Sequence, residues 1–221
     1  MSSLAKKVAL VTGGSRGIGA AIAKRLAADG ASVVITYAKD ASAASAVVKA
    51  IESGGGSAVA IQADAADATA VKDAVEKAAA IFGRLDVLVN NAGTAIPKPF
   101  AETTLEEIDR VININIRGVF LTSQAALKHM NDGGRIINIG SAVGERVQVP
   151  GLVPYAATKG AVKMFTQALS REVGSRGITV NNVQPGPIDT DLNPATGDGR
   201  YRRRPPQRST ATDRSMKSQR W

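Results

Sequence analysis

Short runs of β-branched residues alternate along this chain with longer, alanine-rich segments that have helical periodicity. The short runs predict six buried strands, at residues 8–12, 33–37, 58–62, 86–90, 135–140 and 178–183. The segments between them predict helices at residues 17–28, 41–52, 68–82, 105–130 and 154–173. Strands that alternate with helices form right-handed βαβ crossovers, which give a parallel sheet covered on both faces. We therefore predict an α/β protein with one doubly wound parallel sheet.

The composition excludes several classes of protein. None of the 221 residues is a cysteine, which excludes disulfides and thiolate metal sites and fits a cytoplasmic location. No apolar run is long enough to span a membrane, and the chain enters its first strand without a signal-peptide pattern. We expect a cytoplasmic protein that has no membrane partner and no metal site.

The net charge of +9 is concentrated at one end of the chain. Residues 195–221 hold 8 of the 28 Lys and Arg residues but only 2 of the 19 Asp and Glu residues. An arginine-rich tail could bind phosphates with a steep salt dependence, but the rest of the chain does not favour a nucleic-acid partner. Its composition cannot form a packed core. We expect one folded domain at residues 1–191 and a disordered basic tail at residues 192–221.

A glycine-rich loop joins the first predicted strand to the first predicted helix. Gly13, Gly17 and Gly19 permit a tight turn, a close approach of the backbone to a ligand and close packing of the helix. The N-terminus of the helix would then offer backbone amides to a pyrophosphate. In the first βα turn of a parallel sheet this pattern predicts a dinucleotide site, with a plain tight turn as the alternative.

The end of the second predicted strand indicates which dinucleotide is bound. An acidic residue there would bind the ribose hydroxyls and favour NAD, but the chain has Tyr37 followed by Ala38 and Lys39. Arg16 supplies a second cation from the glycine-rich loop. Two cations without a carboxylate favour the 2′-phosphate of NADP(H) over NAD(H). The alternative is that both cations are solvated surface charges.

Tyr155 and Lys159 are four residues apart in a predicted helix, so their side chains project from one face. A lysine charge lowers the pKa of a nearby tyrosine by stabilising the phenolate. Such a tyrosine can give or take a proton near neutral pH. Ser141, which follows the fifth predicted strand, could hold a carbonyl oxygen beside it. By itself the pair also fits an ordinary helix face with one exposed lysine.

Together these residues resemble the short-chain dehydrogenase/reductase family from about residue 6 to residue 191. The chain is most similar to the 3-oxoacyl-acyl-carrier-protein reductases among its subfamilies. The motifs, which occur in the family's order, are the loop at residues 13–19, Asp64, Asn90-Asn-Ala-Gly93, Asn115, Ser141, Tyr155, Lys159 and Pro185-Gly186. The resemblance implies a Rossmann-type domain and hydride transfer between NADP(H) and a carbonyl or alcohol substrate.

The resemblance also implies a role for each matched position. Tyr155 would be the general acid in reduction, Lys159 would lower its pKa and bond the nicotinamide ribose, and Ser141 would hydrogen-bond the substrate oxygen. Asn115 would position a water in a proton relay. The positions that would contact the cofactor are Gly13, Ser15, Arg16, Gly17, Ile18, Gly19, Tyr37, Lys39, Asp64, Ala65, Asn91, Ala92, Gly93, Tyr155, Lys159, Pro185, Gly186, Ile188 and Thr190.

The chain departs from the family after residue 190. Family members continue with a substrate-covering segment, a further helix and a seventh strand, and they form homodimers or homotetramers. The codons that can encode residues 211–221 permit, in another frame, a segment resembling the start of that last helix. We therefore expect that the tail arose from a frameshift between about residues 191 and 210, which would weaken assembly and turnover. A truncated, non-catalytic dinucleotide-binding protein is the alternative function.

Overall fold

The computed structural model describes residues 4–194 of the chain. The strands are β1 (Val8–Val11), β2 (Ser32–Tyr37), β3 (Ser57–Gln62), β4 (Leu85–Asn90), β5 (Met130–Ile139) and β6 (Thr179–Val183). The helices are α1 (Gly17–Ala28), α2 (Ala41–Ser53), α3 (Ala68–Phe82), α4 (Leu105–Ile112), α5 (Gly118–Leu127) and α6 (Val153–Val173). All six strands are parallel, in the order β3-β2-β1-β4-β5-β6. The predicted doubly wound α/β fold is confirmed.

The strands in the middle of the sheet are covered on both faces, as their continuous apolar runs predict. Leu10 and Leu88 lie in one apolar cluster, and Val11 and Val89 lie in the other. Successive side chains of a strand point to opposite faces, so neighbouring residues of β1 and β4 pack into different clusters. Each cluster binds the helices of its own side to the sheet through burial of apolar surface.

The helix predicted at residues 105–130 is interrupted and ends early. A π-helical turn at Asn113–Arg117 separates α4 from α5, and α5 ends at Leu127. Turns of this kind are rare and occur mainly at functional sites. Helical periodicity continues through such a turn, so the sequence does not reveal it.

The fifth strand begins earlier than predicted because it contains a bulge. Leu85 of β4 pairs with Met130 of β5, whereas Val87 pairs with Arg135, so the two strands advance by different numbers of residues. Gly133 adopts a φ of +78° within the extra segment. Only glycine tolerates that conformation at little cost, which allows the bulge to form there.

Acidic side chains start two of the helices, but not the first one. Asp40 accepts a hydrogen bond from the N–H of Ala43 at 2.9 Å, and Asp67 caps α3 in the same way. Each such cap stabilises its helix by satisfying an amide of the first turn. Arg16, the N-cap residue of α1, makes no side-chain hydrogen bond to that helix. The first-turn amides of α1 therefore remain available to a ligand.

The strand order reverses between β1 and β4, and this switch point locates the site. In an open parallel sheet, ligands bind outside the carboxyl ends of the strands at such a point. The loops that follow β1, β4, β5 and β6 all lie at the carboxyl ends of the strands. They carry most of the predicted site residues.

The segment after β6 is described as far as residue 194. Thr190 and Asn193 form an isolated antiparallel bridge, so the chain turns back on itself in the segment that follows β6. The remainder of the predicted basic tail, at residues 195–221, lies outside the described residues, as does the predicted frameshifted segment. Within residues 4–194, no helix has both the length and the apolar character of a membrane span.

Candidate active site

The glycine-rich loop between β1 and α1 has glycines at positions where a side chain would clash or strain the backbone. Gly13 and Gly17 have φ angles of +63° and +53°, in the left-handed region that favours glycine. A Cβ at Gly13 would lie 3.0 Å from the Cα of Ala92. A Cβ at Gly19 would collide with the side-chain amide of Asn91 and with the Gly13 carbonyl oxygen. The loop therefore places bare backbone at the N-terminus of α1.

Thr12 and Asn91 join this loop to the end of β4. Thr12 Oγ1 accepts hydrogen bonds from the N–H groups of Asn91 at 2.9 Å and Ala92 at 3.0 Å. Asn91 Nδ2 donates to the carbonyl oxygens of Thr12 at 2.9 Å and Gly13 at 3.0 Å. The sequence predicts a cofactor contact at Asn91, but its amide N–H groups are occupied within the protein. The role of Thr12 was not predicted from the sequence. Its position between the first strand and the glycines is the signal that could have indicated it.

Two cations flank the end of β2. Arg16 and Lys39 are exposed, and Tyr37 is half-buried at the last position of the strand. The pKa of the Asp40 carboxyl is lowered, chiefly by the hydrogen bond from the Ala43 N–H and in smaller part by the charge of Arg16. Asp40 thus serves as the cap of α2, while Arg16 and Lys39 place positive charge beside the end of β2.

The segments after β3 and β6 carry further predicted cofactor contacts. Asp64 Oδ1 accepts from the N–H of Ala66 at 3.0 Å, so this carboxylate stabilises a turn. Thr190 lies close to the glycine-rich loop. A Cβ added at Gly17 would lie 3.5 Å from the methyl group of Thr190. The other predicted cofactor contacts in these segments and in the loops after β1 and β4 are Ser15, Ile18, Ala65, Ala92, Gly93, Pro185, Gly186 and Ile188.

Asn115 is fully buried in the π-helical turn, and it holds the loop after β4 through hydrogen bonds. Its Oδ1 accepts from the N–H of Thr94 at 2.9 Å, and its Nδ2 donates to the Thr94 carbonyl oxygen at 2.9 Å. Nδ2 also donates to Thr158 Oγ1 at 3.0 Å. Both amide protons are therefore used inside the protein. The predicted part in positioning a water would have to use the remaining acceptor capacity of Oδ1.

Lys159 is a buried cation at the centre of the site. Its side chain reaches the carbonyl oxygen of Ile139, to which Nζ donates at 2.7 Å, and the residue is 6% exposed. Burial lowers the pKa of Lys159 to about 8. Nζ lies 5.6 Å from the ring centroid of Tyr155 and would lie 3.6 Å from a Cβ at Gly93. The absence of a side chain at Gly93 leaves space beside the ammonium.

Tyr155 lies within hydrogen-bonding reach of Ser141, which follows the end of β5. Ser141 is 9% exposed and its hydroxyl accepts from the N–H of Val143 at 3.2 Å. Burial raises the pKa of Tyr155, and hydrogen bonding with Ser141 opposes that rise. Burial sets the net direction of the shift, and the predicted lowering of this pKa by the charge of Lys159 stays a prediction. The lysine ammonium is held by the Ile139 carbonyl, and the loss of solvent around the phenol dominates.

A buried polar network that the sequence reasoning missed joins the sheet to its helices. Asn90 Nδ2 donates to Asn138 Oδ1 at 2.8 Å and to Ser123 Oγ at 2.9 Å. Asn138 Nδ2 donates to Thr166 Oγ1 at 2.9 Å, and Asn90 and Asn138 are register partners. The available signal was Asn90 at the end of an apolar run in one strand and Asn138 within an apolar run in the next. Such a network specifies how β4, β5, α5 and α6 fit together.

Known proteins resemble this chain over most of its length. A family model described as short chain dehydrogenase matches residues 7–200. An uncharacterized oxidoreductase of Methylorubrum extorquens is 49% identical over 191 residues, which are 86% of this chain and 77% of that protein. A 3-oxoacyl-[acyl-carrier-protein] reductase of Synechocystis is 46% identical over 194 residues, which are 87% of this chain and 78% of the reductase.

Solved structures agree with these relatives. A short chain dehydrogenase from Burkholderia cenocepacia, crystallised in complex with NADP, is 56% identical and superposes with a TM-score of 0.87. The match covers 88% of this chain and 80% of that one. The parallel sheet, the glycine-rich loop and the clustered tyrosine and lysine define an oxidoreductase of the Rossmann type. The chain belongs to the short-chain dehydrogenase family, and the predicted family resemblance is confirmed.

Proposed function

We propose that this protein is an NADP(H)-dependent reductase that acts on a carbonyl or alcohol substrate of the 3-oxoacyl type. Family membership supports hydride transfer in general. The observation that carries the proposed catalysis is the convergence of Ser141, Tyr155 and Lys159 beside the bare backbone of Gly93. Asn115 is the fourth proposed catalytic residue, which would position a water in a proton relay through the remaining acceptor capacity of Oδ1.

The residues at the glycine-rich loop fit a dinucleotide. α1 begins without a side-chain cap, so its first-turn amides can bind a pyrophosphate. The positive φ angles of Gly13 and Gly17 let the backbone approach it closely. Arg16 and Lys39 complement a 2′-phosphate, which supports NADP(H) over NAD(H). The relative crystallised with NADP supports the same choice.

The proposed chemistry assigns one task to each buried group. When bound, a nicotinamide cofactor would supply or accept the hydride. Tyr155 donates the proton that the substrate oxygen takes up, and Ser141 hydrogen-bonds the same oxygen while negative charge develops on it. The ammonium of Lys159 stabilises the phenolate that remains. In the opposite direction the phenolate accepts the alcohol proton.

The mouth of the site supports an apolar substrate. Exposed apolar side chains follow the carboxyl ends of β4, β5 and β6, where the substrate must enter. They are Phe100 (55% exposed), Val147 (54%), Val153 (50%), Ile188 (46%) and Leu192 (55%). Apolar surface at a binding cleft favours ligands that can cover it. A 3-oxoacyl chain or a ketone with a bulky apolar substituent meets this requirement.

A turnover assay tests the proposal directly. The purified chain is mixed with NADPH and a series of 3-oxoacyl thioesters of increasing length, and NADPH absorbance is followed. We expect turnover, with kcat/KM increasing with chain length, and no turnover by Tyr155→Phe. NADPH binding without any turnover would instead favour the non-catalytic, dinucleotide-binding alternative. Turnover that is equal with NADH and NADPH would overturn the cofactor preference.

A further inference from the structure

The hydroxyl of Thr158 bridges two of the proposed catalytic residues. Thr158 is 1% exposed, and its Oγ1 donates to the carbonyl oxygen of Tyr155 at 2.7 Å. The same oxygen accepts a hydrogen bond from Asn115 Nδ2 at 3.0 Å. Asn115 in turn holds the backbone of Thr94 through two hydrogen bonds of 2.9 Å. A single buried hydroxyl thus connects α6, the π-helical turn and the loop after β4.

This bridge lies where the helix has no ordinary cap. Tyr155 is in the first turn of α6, and Leu152, the N-cap residue, makes no side-chain hydrogen bond to that turn. Leu152 is 3% exposed, so it anchors the turn by packing, which is not directional. Hydrogen bonds are directional and are stronger in a buried environment. The Thr158 bridge therefore supplies directional restraint to the backbone that carries the phenol.

We propose that Thr158 is a positioning residue, which holds the Tyr155 backbone against Asn115 and thereby aims the phenol at the substrate oxygen. The inference rests on the proposed function, because it assigns Tyr155 the proton transfer. Proton transfer is sensitive to alignment, and a small misplacement of a reacting group costs up to about 100-fold in rate. Water cannot replace the missing hydroxyl easily, because the position is closed to solvent.

The same helix contains a matched control at Thr166. This threonine is 5% exposed, and its Oγ1 donates to the Val162 carbonyl oxygen at 2.8 Å. Oγ1 also accepts from Asn138 Nδ2 at 2.9 Å. Thr158 and Thr166 therefore make the same two kinds of hydrogen bond, one to a helix carbonyl and one from a buried asparagine. Only Thr158 contacts the proposed catalytic residues in these bonds.

The kinetic test compares Thr158→Val, Thr158→Ser and Thr166→Val. Valine keeps the shape of threonine without the hydroxyl, and serine keeps the hydroxyl. We expect Thr158→Val to lower kcat about 10-fold to 100-fold while the Kd for NADPH stays within about threefold. We expect Thr158→Ser and Thr166→Val to retain kcat within about threefold, although Thr166→Val loses thermal stability. Equal losses of kcat in the two valine variants would overturn the inference.

A second measurement does not depend on turnover. The chain has 3 tyrosines, so ¹³C labelling of the tyrosine ring carbon gives few resonances, and Tyr155→Phe identifies the relevant one. In Thr158→Val we expect the pKa of Tyr155 to rise by about half a pH unit or more, because the phenol loosens from Ser141. We expect Thr166→Val to leave the pKa of Tyr155 unchanged. Thr158→Ala replaces Thr158→Val if the latter does not fold.

These readouts separate the two proposals. A wild-type chain without turnover, in which Thr158→Val still shifts the tyrosine titration, contradicts the proposed function and supports the positioning role. Turnover in the wild-type chain with no change in kcat or in the titration of Thr158→Val contradicts the positioning role alone.

Discussion

The proposed cofactor side of the site, at the glycine-rich loop, and the proposed catalytic side, around Tyr155 and Lys159, are held in shape by different means. On the cofactor side, glycines at residues 13–19 exclude side chains, and Thr12 and Asn91 fasten the loop to β4 through backbone partners. On the catalytic side, buried side chains such as Asn115 and Lys159 reach across elements distant in sequence. The cofactor side therefore depends on steric fit, and the catalytic side depends on charge, burial and directional hydrogen bonds.

Removing the phenol should separate the two sides most clearly. Tyr155→Phe loses the proton donor and leaves the glycine-rich loop intact. We expect kcat to fall about 1000-fold, as for loss of a general acid, with NADPH affinity within about threefold of wild type. Stopped-flow turnover and isothermal titration measure the two quantities. A parallel loss of NADPH affinity would show that the two sides are not independent.

A methyl group added to the glycine-rich loop should produce the opposite result. A Cβ at Gly19 collides with Asn91 and the Gly13 carbonyl, so we expect Gly19→Ala to destabilise the fold by about 3 kcal/mol and to abolish measurable NADPH binding. Gly174→Ala is the control, because a Cβ there meets nothing within 4 Å. Urea unfolding and NADPH titration provide the readouts. Normal binding by Gly19→Ala would contradict the steric account.

The burial of Lys159 should make stability depend on pH. Its pKa is about 8 in the folded protein and near its ordinary value of 10.5 when unfolded. The unfolded chain therefore binds more protons between these values, so stability rises with pH in that window. Between pH 7.5 and 9.5 we expect the wild-type free energy of unfolding to rise by about 2 kcal/mol relative to Lys159→Met. Urea unfolding at each pH measures this, and parallel curves for the two proteins would contradict it.

Removing the surface cations Arg16 and Lys39 should have the smallest effect, and this effect should be confined to the affinity for NADPH. We expect the double variant Arg16→Ala/Lys39→Ala to weaken NADPH binding about tenfold and to leave NADH binding nearly unchanged. Lys24→Ala, an exposed lysine on α1, is the matched control. Isothermal titration with both nucleotides measures the effect. Equal weakening for NADPH and NADH would remove the evidence for a 2′-phosphate site.

Local features of the sequence predicted much of this site. The glycines of the first βα turn, the residues that end β2 and the four-residue spacing of Tyr155 and Lys159 all act over short distances. The π-helical turn, the bulge in β5 and the contacts of Thr158 were not predicted. Each of these depends on a partner element, such as β4 for the bulge and Asn115 for Thr158. The assignment of the individual site residues remains a prediction.

The sequence alone determined the fold class, the positions of five of the six described strands and the location of the glycine-rich loop, because periodicity, steric freedom and motif order are local properties. The tertiary structure decided the electrostatics of the catalytic side. Burial lowers the pKa of Lys159 and raises that of Tyr155, and the ammonium turns to the Ile139 carbonyl. Desolvation depends on everything packed around a group, and no spacing along the chain records it.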